Sequence, residues 1–247
     1  MKSQLAPRLF SPEPISVVAE NDKAHWERVY ADGYEDVSWF QAQPDLSLRL
    51  VASAGLAKSA GIIDVGGGAS SLADCLLNEG YSPVAVLDVS PTSLRYARDR
   101  LGSRARNVSW VEADVTTFSP PRRFGLWHDR AVFHFLTDAA QRLAYVQTLR
   151  RTLISDGAVI IATFAMDGPT RCSGLPVERY DARKISAELG PEFSLIEEVS
   201  EVHRTPLGSG QTFSYFHFRR EPMGDAFRHR EMQTTKMQTT NNSQNSN

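Results

Sequence analysis

The chain has 247 residues, 41% of them hydrophobic, and its 27 basic and 29 acidic side chains leave a net charge of −2. That is enough apolar material for one domain with a full core, and the near-neutral balance gives no overall pull toward nucleic acid. No stretch approaches the ~18 apolar residues of a membrane span, and no charged, apolar, cleavable leader opens the sequence. The two cysteines, Cys75 and Cys172, make neither a disulfide framework nor a zinc site. A cytoplasmic protein without a metal or a membrane partner is therefore expected.

Residues 1–21 carry Pro7, Pro12 and Pro14 and little periodicity, which reads as a flexible leader. A short helix is expected over residues 22–31, bearing His25, Trp26 and Tyr30 and closed by Gly33. The aromatic turn Val37-Ser38-Trp39-Phe40 follows, either core or ligand contact, and then a helix over residues 45–57. The run Ile62-Ile63-Asp64-Val65 ends in the glycine cluster Gly66-Gly67-Gly68 and leads into a helix-compatible segment, which reads as strand, tight turn, helix. Without a Cβ, glycines there let backbone approach a ligand closely. A second strand, Val84 to Leu87, delivers Asp88 about 20 residues after Gly68, where a βαβ unit places an acid against ribose hydroxyls. Together these features point to a nucleoside cofactor. Ser90 and Pro91 then mark a helix start, as N-cap and first helical residue.

Five arginines, Arg95, Arg98, Arg100, Arg104 and Arg106, read as a solvated helix face. A third strand over residues 108–112 precedes Asp114, and a fourth over residues 124–128 runs into Asp129 and Arg130. A helix over residues 138–152 and a fifth strand over residues 158–164 follow. The Gly- and Pro-rich stretch from Met166 to Val177 is too long for a simple connector and reads as a binding loop containing Arg171 and Cys172, with Tyr180 just beyond it. Residues 193–202 and 211–218 read as two further strands, and the polar tail over residues 221–247 as disordered. The expected fold is α/β, a seven-stranded, mostly parallel, doubly wound sheet with a final antiparallel strand and helices on both faces.

A dinucleotide site would want a glycine at the end of its G-x-G-x-x-G fingerprint, where this chain has Ser71. It also places Asp64 two residues before the first glycine, where an acid would oppose a pyrophosphate but suit an ammonium group. An acid, any residue, then Gly-x-Gly is how Asp64-Val65-Gly66-Gly67-Gly68 resembles the class I, Rossmann-like methyltransferases that use S-adenosylmethionine. The resemblance continues through Asp88, Ala113-Asp114-Val115 and Trp127-His128-Asp129-Arg130, covering roughly residues 22–220. The stretch from Phe124 to Val132 is also similar to the Trp-Asp-Arg-Gly segment of the thiopurine-type branch, with His128 inserted and Ala131 in the glycine's place.

The resemblance implies a cofactor site made by Asp64, Gly66, Gly67, Gly68, Asp88, Val89, Asp114 and Val115. In it Asp64 would meet the methionine ammonium, Asp88 the ribose, and Asp114 with the Val115 N–H the adenine. It also implies an N-terminal lid helix that would bring Trp26, Tyr30 or Trp39 beside the sulfonium, where a ring face suits a cation. His128 and Asp129, at the tip of strand four, are the candidate catalytic pair that takes a proton or orients the acceptor. Arg130, Arg171, Cys172 and Tyr180 are candidate substrate contacts. The expected activity is methyl transfer to a small molecule or a protein side chain, with nucleic acid disfavoured as acceptor. A non-catalytic cofactor-binding module and a nicotinamide-dependent reductase are the alternatives.

Overall fold

The computed structural model describes residues 16–222, with side chains from Lys23 onward. Most of the expected leader and nearly all of the polar tail fall outside the described residues. Helix α1 begins at Ser16, six residues before the sequence reading placed it, and runs to Val29. Helix α2 covers Asp45–Ser53 and stops short of the expected residue 57, because Gly55 turns the chain away with a left-handed φ of 67°.

The sheet contains β1 (Ile62–Val65), β2 (Val84–Asp88), β3 (Val108–Glu112), β4 (Phe124–Arg130) and β5 (Leu153–Phe164), followed by β8 (Phe193–Arg204) and β9 (Gly210–Arg220). Between β5 and β8 lie a two-stranded hairpin, β6 (Arg171–Cys172) with β7 (Leu175–Pro176), and helix α6 (Ala182–Leu189). The spatial order is β3-β2-β1-β4-β5-β9-β8. Strands β1 to β5 are mutually parallel and β9 runs antiparallel to both neighbours. Strand order reverses between β1 and β4, and open sheets of this kind bind ligands beyond the carboxyl ends of the strands at that reversal. There Val65 stands opposite Asp129, and Asp64 opposite His128.

Every residue of β1 and β2 is buried, as a parallel sheet covered on both faces requires. Ile62, Val84 and Val86 pack with Leu50, Leu72, Leu76 and Leu94, from α2, α3 (Leu72–Asn78) and α4 (Pro91–Leu101). Ile63, Val65, Ala85 and Leu87 pack on the other face with Tyr145, Val146, Leu149, Ile185 and Leu189, from α5 (Ala139–Thr152) and α6. Each such aliphatic side chain contributes on the order of 2 kcal/mol through burial. Alternation along the strands thus assigns the helices to opposite faces.

The fifth strand is longer than the sequence suggested, because α5 passes into it directly at Leu153 and Gly157 lies inside it. A Cβ at Gly157 would come within 3.0 Å of the Gly125 carbonyl oxygen, so glycine lets β4 and β5 approach past the register shift between Phe124 and Leu126. The expected binding loop is a compact hairpin. Ser173 and Gly174, with φ of 49° and 78°, form the two-residue turn whose twist matches that of paired strands.

Candidate functional site

Two adjoining cavities lie beyond the carboxyl ends of β1, β2 and β4, and Tyr30, Trp39, Val65, Gly66 and Arg130 line both. The larger, about 150 Å³, is bordered by Trp26, Asp88, Val89, Asp114, Val115, Phe135, Leu136 and Leu175 among others. The smaller is bordered by Tyr34, Ser47, Asp64, Gly67, Ser70 and His128.

The glycine turn is shaped by what stands beside it. A Cβ on Gly66 would fall 2.0 Å from Val132, one on Gly67 2.4 Å from Asp64 Oδ2, and one on Gly68 2.7 Å from Asp88 Oδ2. Gly66 and Gly67 therefore bring backbone to the cavities, while Gly68 makes room for the Asp88 carboxylate rather than lining either one.

Asp88 is buried and accepts a hydrogen bond from the Ser90 N–H at 2.8 Å. Burial is the main cause that pushes its carboxyl up to about 7; bonds from Ser90 and Ser93 oppose the rise and the nearby Asp64 adds to it. Ser90 is the N-cap of α4, its hydroxyl accepting from the Ser93 N–H at 3.1 Å, with Pro91 the first residue of the helix. Asp114 makes a local turn: its Oδ1 accepts from the Thr116 N–H and hydroxyl at 2.8 and 2.7 Å, and its second oxygen takes no part in that turn.

The aromatics of α1 and the following turn form a box. Trp26 packs edge-on to Trp39 and Phe135, with ring centroids 5.7 and 5.0 Å away, and Tyr30 stands edge-on to Trp39 at 6.3 Å.

The comparisons with known proteins agree with this geometry. No curated protein matches the sequence. Residues 62–157 match the family model of a methyltransferase domain. Among solved structures, the Burkholderia thailandensis 1,6-didemethyltoxoflavin-N1-methyltransferase, with bound 1,6-didemethyltoxoflavin and S-adenosylhomocysteine, superposes with a TM-score of 0.66. It is 20% identical, over 88% of this chain and 93% of its own. The N-methyltransferase NodS of Bradyrhizobium japonicum WM9 gives a TM-score of 0.58 at 20% identity, over 71% of this chain and 93% of its own. An S-adenosylmethionine-dependent methyltransferase of Anabaena variabilis gives 0.64 at 16% identity, over 83% and 95%. At these identities the structures speak for the fold; the family match covers strands β1 to the start of β5 and the glycine turn.

Residues 62–157 thus carry a methyltransferase domain, on a chain whose fold is that of the class I, Rossmann-like methyltransferases.

The chain's own residues fit that cofactor. The turn has no room for a Cβ at any of its three glycines, three acids border the cavities, Asp64, Asp88 and Asp114, and Asp64 Oδ2 is buried without a hydrogen-bond partner. A buried carboxylate oxygen left unpaired is costly, and a ligand cation removes the cost.

The candidate acceptor side departs from the sequence reading. Asp129 lines neither cavity. It is fully buried, its Oδ1 accepting from the Val132 N–H at 2.8 Å and its Oδ2 from the Phe133 N–H at 3.1 Å and the Tyr145 hydroxyl at 2.5 Å. Burial pushes its carboxyl up to about 6 against those bonds. Asp129 ties down the loop after β4. His128 has both ring nitrogens engaged, Nδ1 with Asp64 Oδ1 at 2.7 Å and Nε2 with Ser47 Oγ at 3.0 Å.

Of the expected substrate contacts, Arg130 alone borders the cavities. Arg171 is exposed and donates to the Gly174 carbonyl within its own hairpin. Cys172 is buried in the core, its thiol pushed up to about 11 by burial. Tyr180 belongs to the opposite core, against Phe133. Leu175, from the same hairpin, is the residue that reaches the cavity.

Two residues that sequence reasoning missed hold the site together. Glu27 on α1 accepts from the hydroxyls of Ser90 at 2.5 Å and Thr92 at 2.7 Å and from the Thr92 N–H at 3.2 Å, so α1 is latched to the N-terminus of α4 two residues beyond Asp88. Arg100 is no solvated residue: it donates to the carbonyls of Ala69 and Ser70 at 2.7 and 2.6 Å and pairs with Asp74 at 2.7 Å, clamping the turn after the glycines. Neither carries a local sequence signal, because their partners lie 26 or more residues away.

Proposed function

We propose that this methyltransferase acts on a small, largely apolar molecule held beside the cofactor under helix α1. The supporting observation is the roof of the larger cavity. Trp26, Trp39, Phe135, Leu136 and Leu175 line it, and His25 of α1 meets Ser173 of the hairpin at 3.4 Å, while Glu27 latches α1 to α4. A polypeptide acceptor wants an open groove or an unpaired strand edge, whereas a cavity walled by aromatic and aliphatic side chains with a few polar groups suits a compact ligand.

In this reading the Asp88 carboxylate accepts from the ribose hydroxyls. The second oxygen of Asp114 and the Val115 N–H meet the adenine edge, with Val89 packed beside it. Gly66 and Gly67 bring backbone against the ribose and methionyl parts, and Asp64 meets the ammonium. The ring faces of Trp26, Tyr30 and Trp39 favour the cation. When bound, the cofactor supplies a methyl group already activated on a sulfonium. The protein's share is to hold the acceptor atom in line and to exclude water. Neither His128 nor Asp129 has a free atom with which to take the acceptor's proton, so that proton leaves to solvent at the acceptor's own pKa.

The test is transfer of isotope from labelled cofactor into an extract separated into metabolite, protein and RNA fractions. Label in the metabolite fraction is the expected result; label confined to protein or RNA overturns the reading.

A further inference from the structure

Six buried side-chain atoms among the described residues have no hydrogen-bond partner, and Nη2 of Arg130 is the cationic one. Arg130 ends β4 and borders the larger cavity together with Trp26, Trp39 and Leu175. Its other nitrogens are spent on neutral oxygens: Nε donates to the Tyr215 hydroxyl and Nη1 to the Trp39 carbonyl, each at 2.8 Å. The guanidinium also lies 4.6 Å from the centre of the Phe213 ring, so its place is fixed. Glu201 stands one bond further off, accepting from the Tyr215 hydroxyl at 3.0 Å. His134 and His203 add no charge, because burial, and after it the charge on Arg130, holds both below the usual histidine range. A guanidinium cannot shed its proton near neutral pH, so Arg130 stays charged with a donor unspent. Leaving that donor unpaired is costly, and an anionic oxygen removes the cost.

The engaged acids and bases at the tip of β4 favour the same occupant. His128 and Asp129 have no free atom to take a proton, so the acceptor atom has to be nucleophilic without their help. Beside Arg130 an ammonium group is repelled, whereas an acid is held ionised, since an adjacent positive charge lowers its pKa. An oxyanion also meets a sulfonium with the opposite charge. Their reaction cancels both charges, which an apolar cavity favours.

We propose that the acceptor is a small organic acid and that its ionised oxygen, held by Arg130, is the atom methylated. An oxygen lone pair forms the new O–C bond, and the C–S bond breaks with its electrons passing to sulfur. The products are a methyl ester or ether that has lost the negative charge, and a neutral thioether sulfur. No proton moves. This inference rests on the small-molecule reading above and gives that molecule a charge. Tyr215 is a positioning residue, because its hydroxyl meets Arg130 and holds the guanidinium in place.

Anion exchange of a metabolite extract near neutral pH tests it, each fraction being incubated with the wild-type protein and isotopically labelled cofactor. Acceptor activity is expected in the retained fraction, and the labelled product is expected to elute at lower salt than its acceptor because a charge has gone. Label that alkali frees as methanol identifies a carboxylate acceptor, and label stable to alkali an acidic hydroxyl; both are ionised oxygens and support the proposal. Arg130→Met should raise the amount of retained fraction needed for half-maximal labelling on the order of 30-fold, as loss of a charged hydrogen bond should. Its affinity for S-adenosylhomocysteine, read by calorimetry, should stay within about twofold of wild type. Arg130→Lys keeps the charge and Tyr215→Phe keeps the guanidinium, so both should show smaller losses of the same kind, and they carry the test if Arg130→Met does not fold. Acceptor activity in the unretained fraction, or a labelled product that elutes with its acceptor, overturns the proposal. So does an unchanged acceptor requirement in Arg130→Met, or an equal loss of S-adenosylhomocysteine affinity. Label confined to protein or RNA overturns the small-molecule reading itself.

Discussion

Asp88 and Asp129 make a controlled pair. Both are buried acids at the carboxyl ends of central parallel strands, and burial raises both, to about 7 and about 6. Around Asp88 the chain turns through Val89 into the capped start of α4, leaving the carboxylate at the cavity wall. Around Asp129 it doubles back through Ala131, at φ 73°, and the N–H groups of Val132 and Phe133 with the Tyr145 hydroxyl engage both oxygens. An acid at a strand tip is thus a ligand group only where the turn after it leaves an oxygen over.

Substitution should separate the two. Asp88→Ala is expected to weaken S-adenosylhomocysteine binding by 100-fold or more, on the order of two charged hydrogen bonds, with a smaller loss of stability than the change at Asp129, because burial already disfavours the Asp88 carboxylate against its bonds from Ser90 and Ser93. Asp129→Ala leaves three buried donors unpaired and should lower stability by about 3 kcal/mol, read by chemical denaturation, while the remaining folded protein binds the ligand normally. Should Asp129→Ala abolish binding in protein that is still folded, the contrast fails.

Titration sharpens the same comparison. Ribose hydroxyls donate to the ionised form of Asp88, so bound ligand lowers a carboxyl that stands near 7 in the free protein. Affinity for S-adenosylhomocysteine should be level above that pH and fall as pH drops below it, by up to about tenfold per unit, with proton release on binding measurable in buffers of different ionisation enthalpy. Asp88→Asn should flatten the profile, whereas Asp129→Asn should leave it in place.

The smallest effect is expected at the latch. Burial tends to raise the Glu27 carboxyl, but bonds from Ser90 and Thr92 outweigh it and hold the group below its usual range. Glu27→Gln keeps the shape and loses the charge at the start of α4, so it should speed S-adenosylhomocysteine dissociation severalfold in stopped flow and leave the association rate within about twofold. A larger effect on association than on dissociation would show that the helix does not act as a cover.

What could be read from the chain alone were features whose causes lie close by in sequence. The apolar run of β1, the glycine turn, the Ser90-Pro91 helix start and the alternation of strands and helices each depend on residues within a few positions, and the structure has all of them. The family resemblance rested on the same local runs. Tertiary structure alone decided what His128, Asp129, Arg130, Glu27 and Arg100 do, because the partners of four of them stand 26 to 91 residues away, while Asp129 is held by Tyr145, 16 residues on, and by Val132 and Phe133 across a left-handed turn. A side chain's type sets what it can donate or accept. Whether that capacity is spent inside the fold or kept for a ligand depends on which distant groups packing brings to it, and for His128 and Asp129 packing spent it.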